Sequence, residues 1–202
     1  MSLILKLIIP VALICSNSIA ADRFDAIKKK LADADCSSFK FVSILSSSVF
    51  DTKDSSRGTA QIAHDGRYRI SLGADIYVCD GKSTYSYSPS TNQLVIQRLD
   101  SGSAVNKEIS FLTRLDEYYT TQPVKPNQQY KLTRRAGLTA GNIPDSMLIV
   151  LDAGRQHIER IDYVDVNDEP VSIVLTDQKL NIKCDDRTFE PAFPDSAETV
   201  KL

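Results

Sequence analysis

Between Arg57 and Ile96 apolar and polar positions alternate in short runs. Each run is stopped by a turn-forming cluster: His64-Asp65-Gly66, Leu72-Gly73-Ala74-Asp75, Asp80-Gly81-Lys82 and Ser88-Pro89-Ser90-Thr91-Asn92. Asp-Gly between β-rich runs signals a hairpin, because glycine takes φ > 0 at no steric cost. It occurs at Asp65-Gly66 and again at Asp80-Gly81. Tyr68 and Ile70 share a face opposite Arg67 and Arg69; Ile76 and Val78 oppose Tyr77 and Cys79; Tyr85 and Tyr87 oppose Thr84 and Ser86. A period of two sustained over these runs predicts an antiparallel meander with one greasy and one wet face.

Flanking stretches change the period. Over Ala21 to Asp35, Phe24, Ile27, Leu31 and Ala34 fall on one face of a helix. Asp22 and Asp25 lie in its first turn and Lys28 to Lys30 nearer the other end, as the helix dipole favours. Such a helix packs on a core or covers a cavity. Phe39 to Phe50 returns to period two, followed by a polar turn over Asp51 to Ser56. Over Val105 to Tyr119, Ile109, Leu112 and Leu115 again share a helical face, with Phe111, Tyr118 and Tyr119 at its margin and Pro123 and Pro126 beyond its end. Four more strands are expected at Tyr130 to Arg135, Ser146 to Asp152, His157 to Val166 and Val171 to Lys183, then a Phe/Pro tail over Phe189 to Pro194 and a short edge strand over Glu198 to Leu202. About ten strands and two helices, without linker or repeat, predict a single domain over 21–202. Its class is α+β, mostly antiparallel β: a strongly curved half-barrel, unclosed, whose concave face the helices cover.

Residues 1–20, MSLILKLIIPVALICSNSIA, set Lys6 before an apolar run and place Ser18 and Ala20 at −3 and −1 of a cut before Ala21. That is the layout of a secretory signal peptide, and the apolar run is too short to span a bilayer. Acylation of Cys15 is disfavoured by the bulky Ile14 before it. The expectation is an exported protein. Its 24 Lys and Arg against 26 Asp and Glu give a net charge of −2, and loss of Lys6 with the leader makes it −3. This is no footprint for nucleic acid or an acidic membrane surface. Cys36, Cys79 and Cys184 remain after cleavage, so at most one disulfide forms and its pairing is open. No Cys-x-x-Cys occurs and His64 and His157 lie far apart, so neither metal nor cofactor is expected. Nor is a catalytic residue: Gly-x-Ser-x-Gly is absent, the pairs His64-Asp65 and Asp152/His157 lack a third partner, and Asp185-Asp186 and Asp51/Asp54 fall in turns.

The meander also carries a family pattern. Gly66, Arg67, Tyr68 and Arg69, then Asp80, Gly81, Lys82, Tyr85, Tyr87, Pro89 and Gln93, keep an order and spacing that resembles the LolA-like periplasmic outer-membrane lipoprotein carriers. The resemblance extends more loosely to the first helix, to Ser37-Ser38-Phe39 and to the Phe/Pro tail. The chain departs from it where the family commonly has Trp and here Ile70 and Tyr85 stand, where Asp65 replaces Pro, and where His64 replaces a basic residue, often Arg. The resemblance implies a helical lid over an apolar cavity and a monomeric periplasmic chaperone that shuttles lipoproteins from inner to outer membrane by their acyl chains. The partners it implies are acylated lipoproteins, an inner-membrane ABC lipoprotein-releasing complex and an outer-membrane acceptor lipoprotein.

On this reading the cavity wall is expected at Phe41, Ile62, Tyr68, Ile70, Tyr85, Tyr87, Leu94, Ile149 and Ile161, and the lid at Phe24, Ile27, Leu31, Ile109 and Leu112. The competing expectation is that the same residues close a filled core. His64 is the lid-contact candidate, since the family's basic residue there is thought to bond the backbone of the covering helices; the alternative is a turn histidine in solvent. Two other functions fit the same fold: a lipid-sensing or interaction module of envelope signalling, and a carrier of another apolar ligand.

Overall fold

Gly66 and Gly81 adopt φ of +89° and +88°, the left-handed conformation that Asp-Gly turns require. The preceding aspartates brace both turns. Asp65 accepts from the Arg67 amide at 3.1 Å, and Asp80 accepts from the Lys82 and Ser83 amides at 2.8 Å each. Around them a computed structural model describes residues 22–47, 52–99, 110–137, 143–154 and 156–202. Residues 1–20, where a signal peptide is expected, and the start of the second expected helix, 105–109 with Ile109, lie outside the described residues.

The elements are α1 (Arg23–Asp33), β1 (Cys36–Ser47), β2 (Thr52–Ala63), β3 (Tyr68–Leu72), β4 (Asp75–Cys79), β5 (Ser83–Ser88) and β6 (Gln93–Arg98). A 3-10 turn (Ser110–Arg114) leads into the one-turn α2 (Leu115–Tyr118). Then come β7 (Tyr119–Lys125), β8 (Gln129–Arg134), β9 (Ser146–Leu151), β10 (Ile158–Val164), β11 (Pro170–Leu180), a second 3-10 turn (Asp186–Phe189) and β12 (Glu198–Lys201). The twelve strands make one sheet in the order β12-β6-β5-β4-β3-β2-β1-β11-β10-β9-β8-β7. All pairings are antiparallel except β12 beside β6. β7 and β12 are its two free edges, so the curved sheet does not close.

Two expectations shift. The polar run Asp51 to Ser56 is not all turn: β2 starts at Thr52, because the long β1 pairs with it from Cys36↔Ala63 to Ser47↔Thr52. Tyr119 is not in a helix but begins β7, paired with β8; the ladder bonds of a long neighbour outweigh local periodicity.

Register assigns the faces. Phe39↔Ala60, Ala60↔Ile70 and Ile70↔Tyr77 form one inner row, and Tyr130↔Ile149, Ile149↔Ile161 and Ile161↔Ile173 another. These join Phe24, Ile27 and Leu31 of α1 and Leu112, Leu115 and Tyr118 in one buried cluster. Gly58 lets the sheet bend past Phe41: a Cβ there would lie 2.2 Å from the Phe41 ring and 2.5 Å from the Ser71 carbonyl oxygen.

A C-terminal strap holds the outer face. Cys36 and Cys184 form a disulfide with Cα atoms 5.4 Å apart, and Cys79 is a buried free thiol. Phe189 packs on Cys36 and Ala63, with the Arg67 guanidinium 5.0 Å above its ring and bonded to Asp186 at 2.9 Å. Further on, Phe193 lies 5.5 Å from Tyr87 and 6.1 Å from Tyr85, between ring centroids. The bridge closes a sequence separation of 148 residues. A Cys36→Ser/Cys184→Ser variant is therefore expected to lose about 2–5 kcal/mol, measured by urea denaturation. An unchanged midpoint would show that the strap stays in place without the bond.

Candidate functional site

The inner face and its covering helix meet through an apolar contact edged by a few polar anchors. Asp22 caps α1 by accepting from the Phe24 amide at 3.0 Å and also accepts from the Tyr130 hydroxyl. The Phe24 and Tyr130 rings stack at 4.6 Å. Lys28, 8% exposed, donates to Asp116 of α2 at 2.6 Å and pairs with Asp25 at 2.9 Å. Burial alone would lower the Lys28 pKa, but the two carboxylates outweigh it and hold the ammonium above the usual lysine value. With a raised pKa, this contribution is complete below the unfolded lysine value of about 10.4 and is lost only as pH rises through the folded one. The anchor is constant at neutral pH.

At the other end of α1, His64 Nδ1 donates to the carbonyl oxygen of Ala32 at 2.8 Å, and the His64 amide donates to the Asp35 carbonyl at 2.9 Å. The exposed turn histidine thus bonds the last turn of the covering helix. The sequence-derived site divides into three groups. Phe41, Ile62, Tyr68, Ile70, Ile149 and Ile161 face inward, all at most 3% exposed, and with Phe24, Ile27, Leu31 and Leu112 they fill a packed core. Tyr85, Tyr87 and Leu94 do not belong with them. Tyr68 pairs with Cys79 and Cys79 with Thr84, so Thr84 continues the inner face, whereas Tyr85 pairs with Val78 and Tyr87 with Ile76 and Leu94. These three side chains lie on the outer face, with Phe193 over Tyr85 and Tyr87. Ile109 lies outside the described residues.

None of the nine expected wall residues lines the open space. That space, about 790 Å³, lies at one end of the sheet. Leu45, Leu72, Tyr163 and Val171 form its floor, with Ile143 and the polar Ser43, Ser56, Asp54, Arg134, Asp145, Asp165 and Asp168 around it. Leu45, Leu72, Tyr163 and Val171 also touch the buried core, so cleft and core are continuous. A hollow of about 540 Å³ shares Tyr163, Val164 and Val171. The signal for the cleft was in the alternation: Leu45 continues Phe39-Phe41-Ser43 and Leu72 continues Tyr68-Ile70. Within the core, the Ser37 and Tyr118 hydroxyls have no hydrogen-bond partner among the described residues, at a cost of about 1–3 kcal/mol each. Among the described residues no three His, Cys, Asp or Glu gather as a metal site, and no helix is long and apolar enough to cross a membrane.

No family model and no curated protein matches the chain. Solved structures do. It is similar to an uncharacterized conserved protein from Thermus thermophilus, at 14% identity and TM-score 0.50, over 89% of this chain and 97% of that one. It is also similar to LolA superfamily protein NE2245 from Nitrosomonas europaea (10% identity, TM-score 0.45, 83% and 97% covered). A third is a putative outer membrane lipoprotein-sorting protein domain from Vibrio parahaemolyticus (8% identity, TM-score 0.46, 83% and 94% covered). What the chain shares with the Thermus thermophilus protein, at 14% identity and a TM-score of 0.50, is the fold.

The His64 contact can be tested by the rate at which an apolar fluorescent probe enters the protein. One net hydrogen bond of about 0.5–1.5 kcal/mol corresponds to roughly 2- to 10-fold in the population of an undocked α1. His64→Ala is expected to speed entry by that factor, and His64→Arg, with more donors, to slow it. Identical rates for both variants and the parent would make His64 a surface residue without hold on α1.

Proposed function

We propose that this chain is a periplasmic LolA-like carrier that buries the acyl chains of lipoproteins between its inner sheet face and α1, moving them from inner to outer membrane without covalent chemistry. The observation that carries this reading is the open sheet with an apolar inner face, covered by α1 and α2 rather than by its own closure. The cover is tied down by Asp22 to Tyr130, Lys28 to Asp116 and His64 to Ala32. On this reading α1 and α2 are the lid, and the structure described is its closed form.

The energies are compatible with exchange. Burying Phe24, Ile27 and Leu31 is worth about 1.5–3 kcal/mol each, and a buried CH₂ about 0.8 kcal/mol, so roughly six to eleven methylenes replace what α1 contributes. One long acyl chain therefore suffices to displace the helix. The cleft beside Leu45, Leu72 and Tyr163 is the entry, and at about 790 Å³ it lies within the range of about 300–1,000 Å³ usual for sites that bury small ligands. An inner-membrane ABC complex as donor, an outer-membrane lipoprotein as acceptor, and a monomeric carrier complete the proposal.

Mass spectrometry of the protein purified from its native host is the test. Acylated lipoproteins are expected to copurify and to be released by competing long-chain lipid. A stable complex with a membrane-anchored regulator and no lipoprotein would replace this reading with a signalling module, and a different apolar molecule would make it a carrier of that ligand.

A further inference from the structure

The charge distribution around the open cleft indicates what the cargo carries beside its lipid. The floor is apolar, while among the described residues the side chains around it include Asp54, Asp145, Asp165 and Asp168 against one cation, Arg134. The Arg134 guanidinium is ion-paired to Asp145 and donates to the Ile143 carbonyl at 3.5 Å, so its charge is already matched. The described residues of the cleft carry a net −3, larger in magnitude than the −2 of the whole chain. Asp165 is fixed in its turn by the Asn167 and Glu169 amides at 2.8 and 3.0 Å, and no cation neutralises it among the described residues. Asp54 and Asp168 make no ion pair among the described residues either. At the lip, Val164 and Val166 are 52% and 82% exposed, beside Asp165 and Asp168. An apolar floor under an acidic rim is complementary to an apolar chain that continues into positive charge.

We infer that this end of the sheet selects lipoproteins whose polypeptide is basic next to the lipid-bearing residue: the acyl chain enters over Leu45, Leu72 and Tyr163, and Lys or Arg side chains meet the aspartates of the rim. The inference rests on the acyl-carrier reading above and specifies its substrate class. An extended peptide advances about 3.3–3.6 Å per residue, so only the first few residues after the lipid are read.

The experiment compares binding of tripalmitoyl-Cys-Ser-tetralysine, tripalmitoyl-Cys-Ser-tetraglutamate and the unlipidated Cys-Ser-tetralysine peptide. The lysine lipopeptide is expected to bind about tenfold more tightly than the glutamate one at low salt, with the gap narrowing as salt screens the rim. An Asp54→Asn/Asp168→Asn variant with unchanged melting is expected to reduce the preference to about twofold or less. Equal binding of the two lipopeptides, or a preference that survives both the variant and high salt, overturns the inference and leaves the acyl-carrier reading standing. Failure of both lipopeptides to bind overturns the acyl-carrier reading, and this inference with it. Binding of the bare peptide as tightly as the lysine lipopeptide contradicts an acyl chain on the floor.

Discussion

A sheet that does not close must have its apolar inner face covered by something other than itself. In this chain that constraint governs the rest. Phe39, Phe41, Ala60, Ile70, Ile149, Ile161 and Ile173 present a continuous apolar surface, and leaving it to water would cost more than a small domain's net stability. The cover is α1, eleven residues long, with the single turn of α2 beside it. A helix this short has little stability of its own in water. Its order comes from Phe24, Ile27 and Leu31 on the sheet and from its anchors, so whatever competes for the sheet competes with the helix.

The outer face answers a different need. β1 is the seam between the meander and the strands β7 to β11, and it follows directly on α1. The disulfide at Cys36, the Phe189 contact and the Arg67–Asp186 pair all gather at the start of that seam. The turn bearing His64 joins β3 to β2, whose last residue, Ala63, pairs with Cys36. The rigid strap and the His64 contact to α1 are therefore neighbours: the strap fixes the place from which the histidine reaches the helix.

Much of this was legible in the sequence, and the parts that were not share a cause. The two Asp-Gly turns, the order of the strands and the amphipathic face of α1 follow from local rules, because turn chemistry and helical period act over a few residues. Face assignment does not. Tyr85, Tyr87 and Leu94 alternate as properly as Tyr68 and Ile70, but register across the Asp80 turn puts them on the outside, where Phe193, far along the chain, covers the two tyrosines. The inner positions of β5 are then Thr84 and Ser86, a polar continuation that alternation alone does not distinguish from a wet outer face. The cleft escapes local rules for a related reason: size and hydrophobicity mark Ile70 and Ile149 as wall residues, but both lie in one buried cluster with α1, and the open space lies at the strand ends, beside Leu45 and Leu72. His64 was found by its place in a family pattern, and its contact with Ala32 is visible only in three dimensions.

The central claim is that α1 is a separable cover on a stable sheet. Native-state hydrogen exchange, resolved by segment and followed with and without saturating palmitate, addresses it directly. The account predicts that α1 amides exchange through a local opening well below the free energy of global unfolding, that β1 and β11 exchange only with global unfolding, and that palmitate alters exchange in α1 first. If α1 exchanges with the same free energy as β1 and palmitate changes neither, the core is a fixed interior and α1 is no lid.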